Sequence, residues 1–386
     1  MTDAIADSYR AEVVRSRMPV VTALRDAYAR PIQVGINARY MNSPMSGIER
    51  YMVELMQHAD PAGCVFRQRT VRALVGQHPA KNAVFAQLRP FYFAAWDRYM
   101  EALEGRQLGI DVFHSPSFIA PKLARGLPSV VTVHDLAFRI FPEFFDRKTK
   151  AYYTLFLESS LAEATRIICV SETTASDLIR FFPACKGKVR VVYNGFTDFS
   201  RVEPDDTVLP ALNLVQDQYL LCVGAFNSRK NIQSVLALAP RLSDRYPHLK
   251  IAVVGRLPPQ EHGWLAPNVI FTGHVTDAAL SALYRNAALF VYPSRYEGFG
   301  FPMLEAMSVG TPVAYSRSSC LPEVAGLDDS HSFDPNRPDQ IHDTIVCLLD
   351  RGRAGVDGAR VRESLSRFSW ERMSRETVEV YRECLR

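Results

Sequence analysis

The chain has 386 residues, which is too long for one ordinary hydrophobic core, so its length predicts two or three domains. Its residues are 47% hydrophobic and 22% charged, the composition of a globular protein in water, and its formal net charge of +4 does not favour nucleic acid as a partner. No apolar run approaches the ~18 residues that span a bilayer, and the N-terminus lacks the apolar segment of a signal peptide.

Cysteine usage indicates the compartment. The seven cysteines are odd in number and scattered, and no C-x-x-C pair occurs. Several lie in apolar, strand-like runs, among them Cys169 and Cys222. This usage predicts reduced thiols and a cytoplasmic protein.

The N-terminal half is predicted to form one domain behind an appended arm. Residues 1–30 are charged and polar between short apolar pairs and are treated as an N-terminal extension. Residues 31–200 alternate strand-like runs with helical patterns, which predicts a doubly wound parallel sheet of the α/β class. The predicted elements are strands at Ile32–Ile36, around Val112–Phe113, at Val130–Val133 and at Ile167–Val170, and helices at Gly47–Met56, at Arg147–Glu163 and after a cap at Ser171–Thr174.

The C-terminal half is predicted to form a second domain of the same kind, over residues 201–370. A polar, turn-rich segment, Thr197–Thr207, is the best candidate for the linker. Residues 371–386 are expected to form a C-terminal helix that packs back toward the N-terminal domain. Two such domains leave a cleft between them, where the carboxyl ends of strands bind ligands. The predicted strands are Tyr219–Val223, Ile251–Val254, Val269–Phe271 and Leu289–Tyr292, and helical patterns fill most of 338–385.

The segment Tyr292–Glu305 is the most informative part of the chain. A strand ends there, a loop with two glycines follows, and Pro302 lies where a helix would begin. Free N–H groups and the dipole at such a helix start favour an anion such as phosphate. Two carboxylates, Glu297 in the loop and Glu305 in the first helical turn, would repel a phosphate unless they bind uncharged hydroxyl groups. A nucleotide sugar offers hydroxyls on both its ribose and its transferred sugar.

A basic pair, Arg229 and Lys230, precedes Asn231, whose side chain can cap a helix predicted to start there. Arginine offers planar bidentate donors and lysine a mobile point charge, and both suit a departing pyrophosphate. The chain contains no Asp-x-Asp pair, and its His and Cys residues show no metal-ligand spacing. We therefore expect no metal and no other cofactor. The basic pair would neutralise the leaving pyrophosphate, as a divalent cation does in other enzymes.

Eight segments then carry a resemblance to a known family. They are Ser46–Tyr51 (SGIERY), Thr132–Leu136 (TVHDL), Cys169–Glu172 (CVSE), Val192–Gly195 (VYNG), Val223–Gly224 with Arg229–Asn231, Phe271–Asp277 (FTGHVTD), Tyr292–Glu305 and Ser319–Val324 (SCLPEV). In these segments and their order, the chain resembles the retaining glycosyltransferases of family 4, over roughly residues 31–385. The resemblance implies a GT-B fold, in which two Rossmann-like domains face each other across a cleft.

The resemblance also implies roles for individual residues. Glu305 would bind the ribose hydroxyls, and Glu297 would bind the donor sugar and stabilise an oxocarbenium-like transition state. Arg229 and Lys230 would bind the diphosphate, and His134, as a neutral imidazole, would bind the donor sugar or the acceptor. The further positions implied to contact the nucleotide sugar are Gly47, Gly224, Arg256, Val275, Gly298, Phe299, Gly300 and Phe301.

Two positions depart from the family's pattern. Ala225 stands where the family often has an additional arginine. Arg256 is therefore a candidate for the basic residue that takes its place. Glu49 stands where the family usually has a glycine, so a backbone approach to the ligand there is in doubt. His114 is either a further site residue or a core histidine.

The style of the motifs most resembles bacterial mannosyltransferases of surface-polysaccharide assembly, which makes GDP-mannose the leading donor. A UDP-sugar or dTDP-rhamnose is the alternative. Retention in the family comes without a well-placed protein nucleophile, so stabilisation of the leaving group should be the main source of rate enhancement. The rivals are a GT-B epimerase or phosphorylase and, outside enzymes, a non-catalytic subunit that binds sugar nucleotides.

The acceptor implied by the resemblance is a sugar, either an oligosaccharide or a polyprenyl-linked one. The aromatic-rich stretch Leu88–Leu103 is predicted to be helical. It is either a packing helix or a surface that contacts the inner membrane peripherally, where such a lipid lies.

Overall fold

The computed structural model describes residues 30–37, 47–60, 63–69, 109–119, 127–255, 263–264 and 266–386. The arm predicted for residues 1–30, apart from its last residue, and the helix predicted for Leu88–Leu103 lie outside these residues. In the described ranges, no helix has the length and apolar character needed to cross a membrane. All seven cysteines lie within them as free thiols.

The N-terminal domain is built on a sheet of six parallel strands in the spatial order β2–β1–β3–β4–β5–β6. Its central strands are apolar runs buried along their length, as expected for a parallel sheet covered on both faces. The strands are β1 (Ile32–Asn37), β2 (Cys64–Arg69), β3 (Val112–Ser115), β4 (Ser129–Val133), β5 (Arg166–Cys169) and β6 (Val189–Val191). The predicted strands of this half are thus present, with ends shifted by one or two residues.

Four α-helices of this domain lie within the described residues. Helix α4 begins as the sequence predicts, because the Ser171 hydroxyl accepts a hydrogen bond from the Thr174 amide at 3.1 Å. The helices are α1 (Gly47–His58), α2 (Ala137–Ile140), α3 (Arg147–Glu163) and α4 (Glu172–Phe181).

The C-terminal domain repeats this architecture with the strand order β12–β11–β10–β7–β8–β9, again all parallel. Its strands are β7 (Tyr219–Val223), β8 (Lys250–Val254), β9 (Val269–Gly273), β10 (Leu289–Tyr292), β11 (Val313–Ser316) and β12 (Ser332–Phe333). Its helices are α5 (Val208–Ala211), α6 (Ile232–Leu236), α7 (Ala239–Arg245), α8 (Asp277–Asn286), α9 (Phe301–Ser308), α10 (Leu321–Ala325), α11 (Pro338–Arg351) and α12 (Gly358–Ser366). The strand order reverses between β7 and β10, which places a crevice at their carboxyl ends.

The chain crosses between the domains twice. The first crossing enters the segment Thr197–Thr207, where Phe199 is only 1% exposed within the C-terminal core. The last helix, α13 (Trp370–Cys384), returns to the N-terminal domain and packs on α1 and the sheet. The two crossing segments are in backbone contact, because a Cβ added at Gly195 would lie 2.3 Å from the Trp370 nitrogen. Only glycine fits at position 195 for this reason.

His114 anchors this returning helix. Its ring bonds the Tyr381 hydroxyl at 2.6 Å and the Thr132 hydroxyl at 2.8 Å, and it is fully buried. Burial lowers the pKa of His114 to about 3, so the imidazole stays neutral. His114 is therefore a core histidine, the second of the two interpretations that the sequence left open.

Asn231 does not cap α6, contrary to the sequence prediction. The residue has a left-handed backbone with φ of 55°, and its side chain makes no cap hydrogen bond. Its amide instead donates to the carbonyl oxygens of Pro293 and Pro335, at 3.2 and 3.0 Å. Asn231 thus ties the loop that carries the basic pair to the neighbouring strand ends.

Candidate active site

The loops that follow β7 and β10 lie side by side because these strands pair in the sheet. The first loop carries Arg229 and Lys230, and the second carries Glu297. Gly224 directly follows β7 and lies beside the lysine, since a Cβ added there would lie 3.4 Å from the Lys230 Cε. The reversal of strand order therefore brings the basic pair and the acidic loop together at one crevice.

Glu297 forms ion pairs with both cations. Its Oε2 lies 3.0 Å from the Arg229 Nη1, and its Oε1 lies 2.7 Å from the Lys230 Nζ. The Lys230 Nζ also donates to the Tyr292 hydroxyl at 3.2 Å, and Arg229 donates to the Tyr296 carbonyl oxygen at 2.8 Å. All three charged side chains are largely removed from solvent, with exposures of 22% for Arg229, 14% for Lys230 and 10% for Glu297.

This arrangement fixes the charge of the carboxylate. Burial raises the pKa of Glu297, but the charges of Lys230 and Arg229 outweigh burial and hold the pKa at about 2. Burial lowers the pKa of Arg229, yet the carboxylates of Glu297 and Asp135 shift it above its usual value. At neutral pH the cluster therefore consists of one carboxylate and two cations.

The backbone of Glu297 is held from a third segment. The Ser319 hydroxyl accepts a hydrogen bond from the Glu297 amide at 2.9 Å, and the Cys320 thiol donates to the Glu297 carbonyl oxygen at 3.2 Å. This turn before α10 belongs to the Ser319–Val324 segment that the sequence singled out. It holds the backbone of Glu297 at both its amide and its carbonyl group.

Gly298 brings the two domains into contact. A Cβ added at Gly298 would lie 1.7 Å from the carbonyl oxygen of His134 and 3.1 Å from the Cβ of Asp135. Only a residue without a side chain permits such an approach of two backbones. The loop of Glu297 therefore closes directly onto the end of β4 in the N-terminal domain.

His134 has one defined tautomer in this arrangement. Its Nε2 lies 2.9 Å from the Pro116 carbonyl oxygen and must donate to it, which leaves Nδ1 as the acceptor. Burial lowers the pKa of His134, although Pro116 and Asp135 oppose the shift. The ring of Tyr51 meets the imidazole edge to face at 5.1 Å. A neutral imidazole with an acceptor nitrogen is suited to a hydroxyl.

Glu305 lies in the second turn of α9, not in the first, because the helix begins at Phe301. It is 4% exposed. Arg50 of α1 approaches one carboxylate oxygen at 3.0 Å, and the Tyr284 hydroxyl donates to the other at 3.0 Å. Burial raises the pKa of Glu305, against the opposing charge of Arg50. The second acidic residue is thus paired across the cleft.

The remaining predicted residues lie around these two centres. Gly47 starts α1 beside Phe301, whose ring lies 3.7 Å from a Cβ added at the glycine. Phe299 is buried and meets the ring of Phe301 at 5.2 Å. Gly300 is the left-handed residue before α9, and Val275 packs against the C-terminal core just after β9. Arg256 lies outside the described residues.

Sequence reasoning missed several residues of the site. Arg50 and Tyr284 contact Glu305, and Ser319 contacts Glu297. The sequence alone predicts none of these three as a site residue. Arg50 stands beside Glu49 in the SGIERY segment, and Ser319 opens the SCLPEV segment, so their motifs were available signals. Within the described ranges, no three His, Cys, Asp or Glu side chains form a group that could hold a metal ion.

Two family models match the chain, one in each domain. The family model described as "Glycosyl transferases group 1" matches residues 217–351, and the model described as "Glycosyltransferase Family 4" matches residues 45–198. Together these ranges cover both sides of the cleft.

Two relatives are similar over most of their length. The O-antigen chain mannosyltransferase B of Escherichia coli is 33% identical over 290 residues, which cover 70% of this chain and 74% of that protein. The MMP alpha-(1->4)-mannosyltransferase of Mycolicibacterium hassiacum is 28% identical over 318 residues, which cover 75% of this chain and 74% of that protein.

Solved structures show the fold. Sucrose-phosphate synthase from Thermosynechococcus elongatus superposes with a TM-score of 0.70 at 19% identity, over 92% of this chain and 99% of its own. HepE of Anabaena, solved with UDP and glucose, gives a TM-score of 0.60 at 16% identity, over 91% and 99%. The two facing parallel sheets are those of the GT-B fold, which confirms the fold predicted from the sequence.

Gly298→Ala should force the domains apart, because its methyl group would overlap the His134 carbonyl. We expect a larger radius of gyration in small-angle X-ray scattering and a loss of about 1–3 kcal/mol in the free energy of unfolding. Gly187→Ala is the matched control, since a Cβ there meets no atom within 4 Å. Equal scattering curves for the variant and the wild type would contradict the contact.

Proposed function

The chain belongs to glycosyltransferase family 4 and has its GT-B fold, and from this premise we propose that it transfers mannose from GDP-mannose to a sugar acceptor with retention of configuration. The observation that carries the proposal is the closed cleft itself. The loop that carries Glu297, with its ion pairs to Arg229 and Lys230, meets the backbone of His134 at Gly298. A donor and an acceptor can therefore meet there.

The choice of mannose draws on the relatives. Both relatives described above are mannosyltransferases by name. HepE is a structural neighbour that was solved with UDP and glucose, which keeps a UDP-sugar as the alternative donor, beside dTDP-rhamnose. Hydrolysis rates with different nucleotide sugars therefore decide the base and the sugar of the donor.

Binding of the donor would redistribute the charges of the site. A diphosphate carries about two negative charges and competes with Glu297 for the two cations. Arg229 offers parallel donors and Lys230 a point charge, and both are partly desolvated, so their attraction to the leaving group is stronger than in water. As the sugar departs, charge grows on the phosphate oxygen, and this is where the cations lower the barrier.

Glu297 would then act as an anion and not as an acid. A carboxyl with a pKa of about 2 is ionised at neutral pH and cannot donate a proton. It can accept hydrogen bonds from the sugar's hydroxyls and stabilise positive charge at the anomeric carbon. In the proposed step the bond from that carbon to the phosphate oxygen breaks and a bond to the acceptor oxygen forms on the same face. The acceptor proton passes to the departing phosphate.

Glu305 would bind the ribose. Its carboxylate has about four acceptor positions, and Arg50 and Tyr284 occupy two of them. Two remain for a pair of vicinal hydroxyls. Because Arg50 is 32% exposed, its side chain has room to shift when a nucleotide enters.

The acceptor is proposed to be an oligosaccharide or a polyprenyl-linked sugar, reached by peripheral contact with the cytoplasmic face of the inner membrane. The name of the O-antigen relative supports a polysaccharide product. On the described surface, Leu155 of α3 is 62% exposed and is a candidate contact with lipid.

A panel of nucleotide sugars tests the donor. The purified chain should hydrolyse GDP-mannose slowly in the absence of acceptor, and faster than UDP-glucose or dTDP-rhamnose, with release of the nucleoside diphosphate as the measurement. Preference for another donor would correct the donor alone. Binding without hydrolysis or transfer of any donor would favour the non-catalytic subunit instead.

Chelation tests the expected independence from metal. With EDTA present, turnover should stay within about twofold of the untreated enzyme, because Arg229 and Lys230 supply the countercharge. Lys230→Ala should lower kcat/KM by roughly 10²–10³ in the same assay, with Lys186→Ala, an exposed lysine, as the control. Loss of activity on chelation that Mg²⁺ or Mn²⁺ restores would show that a metal takes part.

Replacing each of the two glutamates by glutamine should have different effects on GDP binding and on kcat. Glu305→Gln should weaken binding of GDP by about ten- to a hundredfold, because a carboxylate on two hydroxyls contributes about 1.5–3 kcal/mol. Glu297→Gln should bind GDP about three- to tenfold more tightly, since a carboxylate that competes for the cations is gone, and should lose kcat.

Isothermal titration calorimetry with GDP measures both affinities, and Glu363→Gln, at an exposed position on α12, is the matched control. Weaker binding by Glu297→Gln together with unchanged binding by Glu305→Gln would reverse the two assignments.

A further inference from the structure

Two motifs that the donor site leaves unexplained meet across the cleft. Glu323 of the SCLPEV segment belongs to α10 in the C-terminal domain, and Glu172 of the CVSE segment starts α4 in the N-terminal domain. One Glu323 oxygen accepts from the Glu172 amide at 2.7 Å and from the Tyr193 hydroxyl at 2.8 Å. The other accepts from the Thr173 amide at 3.0 Å and from the Thr173 hydroxyl at 2.7 Å.

These four bonds require a carboxylate. An ionised Glu accepts only, and its two oxygens together offer about four acceptor positions, which the four donors fill. Glutamine would turn an amide NH₂ group toward N–H and O–H donors. The negative charge is also favourable at the start of a ten-residue helix, where the dipole is positive. Together with Ser171, which accepts from the Thr174 amide, Glu323 completes the cap of α4 from the opposite domain.

The segment that carries Glu323 is the one that holds the donor loop. Ser319 and Cys320 bond the backbone of Glu297, four and three residues before Glu323. The donor loop reaches the same helix directly, because the Tyr296 hydroxyl donates to Asp177 of α4 at 2.8 Å. Helix α4 is therefore bound at its start and in its second turn by two segments that flank Glu297.

The contact also lies at the crossings between the domains. Tyr193, one of the four donors, belongs to the first crossing. Arg367, just before the second crossing, donates to the Glu323 carbonyl oxygen at 3.0 Å and packs over the ring of Phe368 at 4.7 Å. Glu323 thus bonds the N-terminal domain and the first crossing through its carboxylate, and the second crossing through its backbone. It is therefore placed to set the angle between the domains.

We propose that Glu323 is a positioning residue that holds the cleft closed, so that Glu297 and Gly298 face His134. It touches no substrate. The inference rests on the proposed transfer reaction only for its kinetic readout, because the domain angle and the cap of α4 can be measured without any donor.

The test compares Glu323→Gln with Glu323→Asp, Tyr193→Phe and the exposed control Glu363→Gln. Hydrogen exchange, read by mass spectrometry at single-amide resolution, should show the amides of Glu172 and Thr173 exchanging about tenfold or more faster in Glu323→Gln. The Thr174 amide, which Ser171 holds, is the internal reference and should change little. Small-angle X-ray scattering should show a larger radius of gyration for Glu323→Gln alone.

The kinetic readout separates positioning from simple structural support. Glu323→Gln should lower kcat about ten- to thirtyfold while the Kd for GDP stays within about twofold, because the diphosphate is held by the C-terminal domain. Glu323→Asp, which keeps the charge one methylene shorter, and Tyr193→Phe, which removes one donor of four, should lower kcat only about two- to threefold and speed exchange at Glu172 and Thr173 less than Glu323→Gln does.

Unchanged exchange at Glu172 and Thr173 in Glu323→Gln would show that the cap is absent. Fast exchange with unchanged scattering and kcat would show that the cap does not set the cleft. If Glu323→Gln fails to fold, wild-type values of exchange and kcat in both milder variants would overturn the proposal. If the wild type transfers no mannose, the proposed donor is wrong, and exchange and scattering still decide the role of Glu323.

Discussion

Glu297 is a buried carboxylate between Arg229 and Lys230, and the arrangement of the cleft follows from the need to keep these three charges together. A buried charge that loses its partner is destabilising by about 3–5 kcal/mol, so the loops that carry the three residues cannot move independently. Pairing of β7 with β10 supplies the proximity, Ser319 and Cys320 fix the backbone, and Gly298 lets the opposite domain come close. In the proposed reaction, the same burial would strengthen the attraction of the two cations for a diphosphate that replaces Glu297.

The two domains are held together by contacts of different character. Far from the cleft, α13 returns to the N-terminal sheet, where Tyr381 bonds the neutral, buried His114. This attachment lies in the hydrophobic core that α13 shares with α1 and the sheet. At the cleft, the contacts are ion pairs and hydrogen bonds to partly exposed groups such as Glu323 and Arg50. Such polar contacts can exchange with the polar groups of a ligand, whereas the packed core around α13 offers no such exchange.

Local patterns predicted the elements well and the long-range pairs poorly. The strands Tyr219–Val223 and Leu289–Tyr292 and the helix Arg147–Glu163 have the predicted bounds, because apolar periodicity and caps are local properties. Asn231 was expected to cap a helix and instead bonds Pro335, 104 residues away. Arg50 pairs with Glu305 over a separation of 255 residues, which no local pattern reveals. The sequence motifs identified the segments that form the site, but only the tertiary structure shows which side chains are in contact.

The charges around the cleft suggest why the two glutamates have different partners. Glu297 is paired with two cations of its own domain, whereas Glu305 is paired with one cation, Arg50, from the other. Counted over the two glutamates and the cations bonded to them, the site holds three cations and two carboxylates. This excess of cations would attract the nucleoside diphosphate of the proposed donor. With about two negative charges on the bound diphosphate, the site becomes net negative. In the proposed reaction, that surplus would favour the positive charge that develops on the sugar as its bond to phosphate breaks. Glu297, ionised and released from its cations, would be available to stabilise it.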